Sequence, residues 1–152
     1  MDIEEYLKEK GAPYEVISHE QAFTAQEVAA AEHVTGHKFA KTVIARGGDQ
    51  SFMLVLPASH HVDFVKASAL VGEELALASE KEMKALFLDC EIGAEPPFGA
   101  EYGLTTYVDE SLAQVDEIVF RAGTHDKTIK MRYEDYADVE GPTPGDFALD
   151  EG

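Results

Sequence analysis

The sequence predicts an α+β fold built around a mixed sheet, and two observations lead to this class. Helical and strand patterns are interspersed along the chain. Several neighbouring strand patterns are joined only by turns, such as residues 47–50 and 123–126, which are too short for the crossover helix that parallel strands need. We therefore expect antiparallel pairs inside a sheet that also contains other connections.

Length and composition predict a single folded domain followed by a short tail. The chain has 152 residues, of which 45% are hydrophobic, and this is enough for one domain with a sizeable core. We assign that domain to residues 1–140. Residues 141–152 are rich in glycine, proline and acidic side chains, and we expect them to be flexible.

The first half of the chain predicts two helices and three strands, at residues 2–10 (helix), 14–18, 25–34 (helix), 39–44 and 51–56. Thr24 and Glu27 have the spacing of a capping box, which fixes the start of the second helix. The strand at 51–56 is apolar on both faces, as expected of a strand in the centre of a sheet.

The second half predicts three helices and four strands, at residues 62–71 (helix), 75–78, 79–88 (helix), 104–108, 118–122, 128–133 and 133–139 (helix). Asp63 and Gly72 mark the two ends of the first of these helices. Ser79 and Glu82 form a second capping box. Residues 90–103 contain too many glycines and prolines for regular structure.

The net charge of −18 restricts the partners that the protein can have. Lys and Arg side chains supply most of the affinity of proteins for nucleic acid, so we expect no DNA partner and no broad contact with RNA. Eight of the twelve basic residues lie within residues 38–66 and 121–132, which allows a small local contact with RNA. The alternative is that the acidic surface serves only solubility.

The sequence predicts neither a membrane segment nor an export signal. The apolar runs are much shorter than a membrane span, and the first residues are acidic where a secretory signal would be basic. We therefore expect a cytoplasmic protein without a membrane partner. Cys90 is the only cysteine, so no internal disulfide can form.

Lys41 is the first candidate for a functional residue, because it places a cation on an apolar strand face. With side chains alternating along the strand, Lys41 shares a face with Phe39, Val43 and Ala45. A buried ammonium is costly unless it is paired. Either a carboxylate meets Lys41, or the face opens into a pocket where an anion can bind.

The second candidate is the loop of residues 93–99, with the sequence Gly-Ala-Glu-Pro-Pro-Phe-Gly. Glycine lets the backbone approach a ligand, and proline holds a loop in one shape, so N–H groups could be aimed at a carbonyl or phosphate oxygen. Such a loop could form an oxyanion hole. The alternative is an ordinary surface connection.

Other kinds of catalytic site find little support in the sequence. The histidine spacings, including His33 with His37 and the adjacent His60 and His61, do not suit a metal, and there is no Gly-x-Ser-x-Gly elbow for a serine nucleophile. We interpret Cys90 as a small buried residue. His19 and His125 remain as polar candidates, although His125 can equally be a turn residue that bonds to the backbone.

Four motifs, in this order, resemble the YbaK/EbsC family, which includes the editing domain inserted in bacterial prolyl-tRNA synthetase. They are His19-Glu20 with Thr24, Phe39-Ala40-Lys41-Thr42, the loop of residues 93–99, and Ala122-Gly123-Thr124-His125 followed by Ile129. The resemblance covers nearly the whole chain up to about Val139. It implies a mixed, strongly twisted central sheet with flanking helices.

The resemblance also implies an activity: hydrolysis of the ester of a mischarged tRNA carrying a small amino acid, such as alanine or cysteine, without a metal or other cofactor. The implied partners are the 3′-terminal aminoacyl-adenosine of the tRNA and a prolyl-tRNA synthetase. In the family, the matching lysine contacts the 3′-terminal nucleotide, and the matching loop presents backbone groups to the aminoacyl moiety. The implied catalytic residues are Lys41, Gly93, Gly99 and His125, and the implied substrate-binding residues are His19, Thr24, Pro96, Pro97, Phe98 and Gly123.

Two other functions compete with this one. A non-catalytic module that holds a nucleotide or a tRNA 3′ end would show salt-sensitive binding that depends on Lys41, but no turnover. A regulatory module could instead bind a protein partner through the acidic residues 141–152.

Overall fold

The computed structural model describes residues 2–18 and 38–150. The helix predicted at 25–34, with its capping box of Thr24 and Glu27, lies outside these residues. Four α-helices occur in the described part of the chain, at α1 Ile3–Glu9, α2 Phe64–Val71, α3 Glu80–Leu86 and α4 Tyr133–Glu140. None of the helices described is long and apolar enough to cross a membrane.

The strands of the described residues are β1 Glu15–Ser18, β2 Ala40–Gly47, β3 Gln50–Pro57, β4 His60–Val62, β5 Ala76–Leu77, β6 Thr105–Asp109, β7 Glu117–Arg121, β8 Lys127–Arg132, β9 Thr143–Gly145 and β10 Ala148–Asp150. Short 3-10 helices cover Gly99–Tyr102 and Leu112–Gln114. The α-helices and the strands β1–β3 and β5–β8 lie where the local patterns predict them, whereas β4, β9 and β10 were not predicted.

The main sheet is mixed, which confirms the predicted α+β class. Its strand order is β5-β2-β3-β6-β9. The hairpin of β2 and β3 is antiparallel, whereas β3 pairs with β6 and β6 with β9 in parallel. A second, antiparallel sheet has the order β1-β8-β7, and β10 pairs with β4.

The two larger sheets meet at the start of β2. Phe39 forms an isolated parallel bridge with Val119 of β7, and the Val119 N–H donates to the Lys38 carbonyl over 3.1 Å. The first residues of β2 and the last residues of β7 are thereby held side by side, and both strands carry a cation there, Lys41 and Arg121.

Strand β3 separates two apolar clusters, as its two-sided pattern predicted. Met53 and Val55 belong to the larger cluster, and Leu54 and Leu56 belong to the smaller one. All four side chains are fully buried. A strand covered on both faces is a fixed support for its neighbour β2, whose first residues line the candidate site.

The predicted helix ends are confirmed in α2 and α3. Asp63 caps α2 by accepting from the Val65 and Lys66 N–H groups, and Gly72 ends it in the left-handed conformation, with φ of 83°. In α3 both bonds of the capping box between Ser79 and Glu82 are present. These contacts satisfy N–H groups that a helix start would otherwise leave without partners.

The expectation of a flexible tail after residue 140 is wrong for residues 143–150. This segment forms β9 and β10, and Phe147 is fully buried in the smaller apolar cluster. The Asp109 carboxylate accepts from the N–H groups of Phe147 and Ala148, each over 3.0 Å. The segment is therefore fixed by partners about forty residues earlier in the chain, which its own composition does not reveal.

Candidate active site

A small cavity of about 150 Å³ lies where the two sheets meet. Its lining comes from three elements: the start of β2, the loop that begins at Gly93, and the end of β7. The lining residues are Phe39, Ala40, Lys41, Thr42, Gly93, Glu95 and Arg121. The cavity thus brings two basic side chains and one carboxylate into a space suited to a small polar ligand.

Lys41 lies in the wall of the cavity. The sequence predicted either a pocket or a carboxylate next to this side chain. It is half-buried and pairs with Leu56 across the β2–β3 hairpin. Two residues further on, Val43 and Ala45 pack in the smaller apolar cluster, so the face is apolar as predicted. The ammonium shares this cavity with the Glu95 carboxylate and the Arg121 guanidinium.

Gly93 and Glu95 line the cavity from the loop, and the Glu95 side chain holds the backbone of Gly93. Gly93 has φ of 84°, a left-handed conformation that favours glycine. Its N–H donates to Glu95 Oε1 over 3.1 Å. Burial raises the pKa of the Glu95 carboxyl, while hydrogen bonds from its own N–H and from Gly93, and the charges of Arg121 and His125, oppose that rise.

Arg121 completes this wall from the end of β7. Its side chain is almost fully buried, and Nη1 donates to the Gly93 carbonyl oxygen. The two polar groups of the Gly93 residue are therefore both engaged, the N–H by Glu95 and the carbonyl by Arg121. The two peptide units on either side of the Gly93 Cα each have a hydrogen bond to a side chain, which keeps their orientation at the cavity wall.

His125 lies beside the cavity and holds the same loop. Its ring Nε2 is 2.7 Å from the Ile92 carbonyl oxygen, and since a carbonyl can only accept, Nε2 carries the proton. The His125 N–H donates to Glu91 Oε2 over 2.9 Å. The ring is buried and is not part of the cavity lining, so in this structure it contacts the loop rather than the space where a ligand would bind.

Gly123 joins the same two segments through its backbone. Its N–H donates to the Ala94 carbonyl over 2.9 Å, and its carbonyl accepts from the Glu91 N–H over 2.8 Å. With φ of 93°, it occupies a conformation that other residues avoid. The turn of residues 123–126 and the loop of residues 91–95 therefore form one hydrogen-bonded unit.

The later residues of the predicted loop are directed into the core. Phe98 is fully buried and contacts the rings of Tyr6, Phe120 and Tyr136. Pro96 and Pro97 are buried, and the Pro97 carbonyl accepts from the Tyr136 hydroxyl over 2.8 Å. None of these three residues lines the cavity.

Gly99 also serves packing. A Cβ atom on Gly99 would lie 2.5 Å from Thr106 Oγ1 and 3.2 Å from Cβ of Leu104 and of Met53. Only glycine fits in that space. The next N–H along the chain, that of Ala100, donates to the Glu140 carboxylate over 3.2 Å.

Much of this loop's backbone is not available for the open oxyanion hole that the sequence suggested. Three of its N–H groups donate within the protein: Gly93 to Glu95, Ala94 to Glu91 and Phe98 to Pro96. Pro96 and Pro97 have no N–H. The residues that bring positive charge to the cavity lining are Lys41 and Arg121.

Two of the predicted site residues, His19 and Thr24, lie outside the described residues. Two site residues that the sequence did not single out are Glu95 and Arg121. Arg121 could have been found by the reasoning applied to Lys41, because it is a charged residue in an otherwise apolar strand. Glu95 stood inside the predicted loop, but nothing in the pattern set it apart from an exposed loop carboxylate.

Cys90 is half-buried near this unit and does not line the cavity. Burial raises the pKa of its thiol, and the Tyr102 hydroxyl lies 3.4 Å from the sulfur. A thiol in this state is a poor nucleophile. Within the part of the chain that is described, no group of three histidine, cysteine or acidic side chains could hold a metal ion.

Comparison with known sequences places the chain among proteins that act on tRNA. A protein-family model described as an aminoacyl-tRNA editing domain matches residues 19–139. The Multifunctional Ser/Thr-tRNA deacylase ProXp-y of Escherichia coli (strain K12) is 30% identical over 142 residues, which cover 90% of this chain and 84% of that protein.

Comparison with solved structures supports the fold. The crystal structure of a candidate trans-editing enzyme for prolyl tRNA synthetase has a TM-score of 0.87 at 24% identity, covering 99% of this chain and 96% of that one. The crystal structure of hypothetical protein APE2540 has a TM-score of 0.90 at 19% identity, covering 98% and 100%. At these identities the likeness shows a shared architecture.

Proposed function

Because the chain belongs to the aminoacyl-tRNA editing domain family, we propose that it removes small, hydroxyl-bearing amino acids from mischarged tRNA at the cavity of Lys41, Gly93, Glu95 and Arg121. The observation that supports this site is the position of Lys41, a cation in the wall of a small cavity with the Gly93 loop opposite. The aminoacyl group enters the cavity, and the terminal adenosine stays at its mouth near Lys41.

The reaction is the addition of water to an ester carbonyl. A bond forms between the water oxygen and the carbonyl carbon, and negative charge develops on the carbonyl oxygen. The bond to the ribose oxygen then breaks, and the proton lost by the water ends on that oxygen, which leaves as the ribose hydroxyl. Lys41 and Arg121 supply positive charge in the cavity where that negative charge develops. An aminoacyl ester is already reactive, so positioning and charge stabilisation suffice without a covalent nucleophile.

The size of the cavity limits the acyl group. At about 150 Å³ it is well below the ~300–1,000 Å³ of typical pockets for drug-sized ligands. A small side chain fits, and a larger cognate amino acid is excluded. Size alone separates such substrates by only about 10- to 200-fold.

The polarity of the lining extends this selection. Thr42 and Glu95 place a hydroxyl and a carboxylate among the lining residues. A serine or threonine hydroxyl can exchange hydrogen bonds with such groups, whereas alanine and cysteine, the examples that the family resemblance implied, gain less. The E. coli relative is named for Ser/Thr-tRNA, which is consistent with this preference.

The tRNA body is held by another protein, and a prolyl-tRNA synthetase is the partner that we propose. The net charge of −18 opposes a broad contact with phosphates. Many described cations are also close to carboxylates, among them Arg46, which lies 2.9 Å from Glu82, and Lys66, which lies 3.1 Å from Asp146. This leaves the chain suited to the aminoacylated end alone.

A panel of mischarged tRNAs tests the proposal. tRNAs carrying serine, threonine, alanine, cysteine or a larger cognate amino acid are incubated with the protein, and released amino acid is measured. We expect release of serine and threonine by the wild type and a loss of about 100-fold in Lys41→Ala, the size typical for removal of one stabilising group. Lys84→Ala is the matched control, because Lys84 is 63% exposed on α3 and pairs with Glu80.

The outcomes separate the competing functions. Release from none of the small-amino-acid tRNAs would reject the hydrolase. If the wild type nevertheless bound a non-hydrolysable aminoacyl-adenosine through Lys41, the protein would be a binding module for the tRNA 3′ end. Release of alanine or cysteine in preference to serine would retain the activity and overturn the proposed preference.

A further inference from the structure

The backbone on either side of Gly93 is held by two side chains that come from different parts of the fold. Glu95 accepts the Gly93 N–H from within the loop, and Arg121 donates to the Gly93 carbonyl from β7. A Cβ atom on Gly93 would lie 3.5 Å from both Arg121 Nη1 and His125 Cε1. The backbone of the cavity wall therefore rests directly on a guanidinium and an imidazole.

Arg121 is a charged residue at a buried position of β7. It is 6% exposed, and the strand residues that precede it, Ile118, Val119 and Phe120, are all buried apolar side chains. An arginine buried among apolar neighbours is costly unless its hydrogen bonds are used. One use is visible in the bond to Gly93, a residue of the cavity wall, 28 positions away in the chain.

The neighbouring contacts hold the loop near Arg121, but they do not hold the Gly93 carbonyl. Backbone bonds between Gly123 and residues 91 and 94, and the His125 ring on Ile92, fix the loop on either side of Gly93. The carbonyl of Gly93 itself is held by Arg121. Without that bond, the Gly93–Ala94 peptide keeps the bond of the Ala94 N–H to the Glu91 carbonyl, over 3.0 Å, but its own carbonyl loses the Arg121 donor and can tilt.

We propose that Arg121 is a positioning residue of the editing reaction, which fixes the Gly93 carbonyl and thereby the wall against which the aminoacyl ester is aligned. This inference rests on the proposed function. It assigns Arg121 an effect on the rate of hydrolysis through the loop, in addition to the charge that it contributes to the cavity.

The test compares Arg121→Met and Arg121→Lys with the wild type. Methionine removes the charge and the donor, whereas lysine keeps the charge and loses the planar pair of donors. We expect both variants to lower kcat, by about 10- to 100-fold for methionine, with KM within about threefold, because misplacing a reacting group affects the chemical step. Arg132→Met is the matched control: Arg132 ends the neighbouring strand β8, is 67% exposed and pairs with Glu134.

A second readout follows the loop without activity. In amide hydrogen exchange by NMR, we expect the Gly93 N–H to exchange at least about tenfold faster in both variants, with Ile44 and Leu54 in the main sheet unchanged. If Arg121→Met does not fold, the lysine variant decides. Guanidinium ion added to Arg121→Ala should restore part of the activity by binding where the side chain was.

The two readouts keep the possible failures apart. If the wild type hydrolyses no mischarged tRNA, the proposed function fails, and Gly93 exchange still decides whether Arg121 holds the loop. Unchanged kcat in both variants would overturn the positioning role. A lower kcat with unchanged Gly93 exchange would also overturn it, because Arg121 would then act on the substrate directly.

Discussion

The two ends of one glycine/proline loop serve different purposes. At the first end, Gly93 is exposed in a left-handed conformation, and its peptide forms part of a polar cavity. At the second end, Phe98 is fully buried in the larger apolar cluster, and the adjacent Gly99 is buried as well. A loop motif therefore does not act as one functional unit: the first end forms the candidate site, and the second anchors it to the core.

A carboxylate accepts backbone N–H groups at each end, which makes the comparison close. Glu95 accepts from Gly93, and the half-buried Glu140 of α4 accepts from Ala100. The surroundings differ, since Glu95 shares its cavity with Lys41 and Arg121, whereas Thr106 donates to Glu140. A carboxylate that accepts a backbone N–H group therefore lies beside the candidate site at one end of the loop and beside the apolar core at the other.

Phe98→Ala should give the largest effect on stability. Phe98 packs against three aromatic rings, with centroid distances of 5.7, 5.6 and 5.2 Å to Tyr6, Phe120 and Tyr136. Removing a fully buried ring of this kind costs about 3–5 kcal/mol. Urea unfolding measures the loss.

Phe98→Leu is the variant that sharpens the comparison. It keeps most of the volume and should cost about 1 kcal/mol, with kcat/KM per folded molecule unchanged. A leucine variant that is stable but has lost the ability to release a particular amino acid would show that Phe98 contacts the substrate, as the family resemblance implied.

Gly93→Ala and Gly99→Ala should differ in their effects on stability and on activity. Gly99→Ala forces a Cβ to 2.5 Å from Thr106 Oγ1, and such overpacking costs about 1–3 kcal/mol. Gly93→Ala meets only ordinary contacts, so its cost is the left-handed conformation, about 1–2 kcal/mol. We expect Gly93→Ala, but not Gly99→Ala, to lower kcat per folded molecule by at least about tenfold, since even small misplacements affect the chemical step.

Parallel measurements of urea unfolding and of amino-acid release check this pair. Equal losses of activity in both variants, after correction for the folded fraction, would remove the distinction between the two ends of the loop.

A further prediction concerns the pH dependence at the core end. Burial raises the pKa of Glu140, although hydrogen bonds from Thr106, Ala100 and Gly99 oppose the rise. The folded protein then holds a proton that the unfolded chain has released, so the contribution of Glu140 to stability falls as pH rises from about 4.3, the ordinary glutamate value, through the raised value. Glu140→Gln should remove this fall.

Unfolding free energies of the wild type and Glu140→Gln, measured across that pH range, give the test by their difference. Glu134→Gln is the control, because Glu134 is 72% exposed. If the unfolding free energies of the wild type and Glu140→Gln change with pH in parallel, burial does not raise the pKa of Glu140. The resemblance between Glu95 and Glu140 would then be limited to their hydrogen bonds.

The fold and Lys41 were predictable because their signals are local. Capping boxes span four residues, the two-sided pattern of β3 spans six, and a lysine among apolar residues stands out by itself. Arg121 also stands next to apolar residues and could have been singled out in the same way, but its contact could not, because its partner is a backbone carbonyl 28 residues away and a carbonyl has no signature in the sequence. The packing role of Phe98 and Gly99, and the burial of Phe147, likewise depend on residues that only folding brings near.

The smallest expected effect is on the salt dependence of binding, and it tests whether substrate affinity resides at the cavity end of the loop. Among contacts between described residues, six basic side chains lie within 4.0 Å of a carboxylate oxygen, namely Arg46, Lys66, Lys84, Lys127, Lys130 and Arg132. Because at least half of the twelve cations are engaged in this way, a plot of log association constant against log salt should have a slope of about −1 to −2, since each single-stranded phosphate contributes about −0.7.

The measurement uses a non-hydrolysable aminoacyl-tRNA analogue at several salt concentrations. Lys41→Ala should make the slope shallower by about 0.7, the share of one phosphate, whereas Lys84→Ala should leave it unchanged. A slope of about −4 or steeper would mean that the protein neutralises five or more phosphates. The tRNA body would then be bound by this chain itself, and the cavity end would supply only part of the affinity.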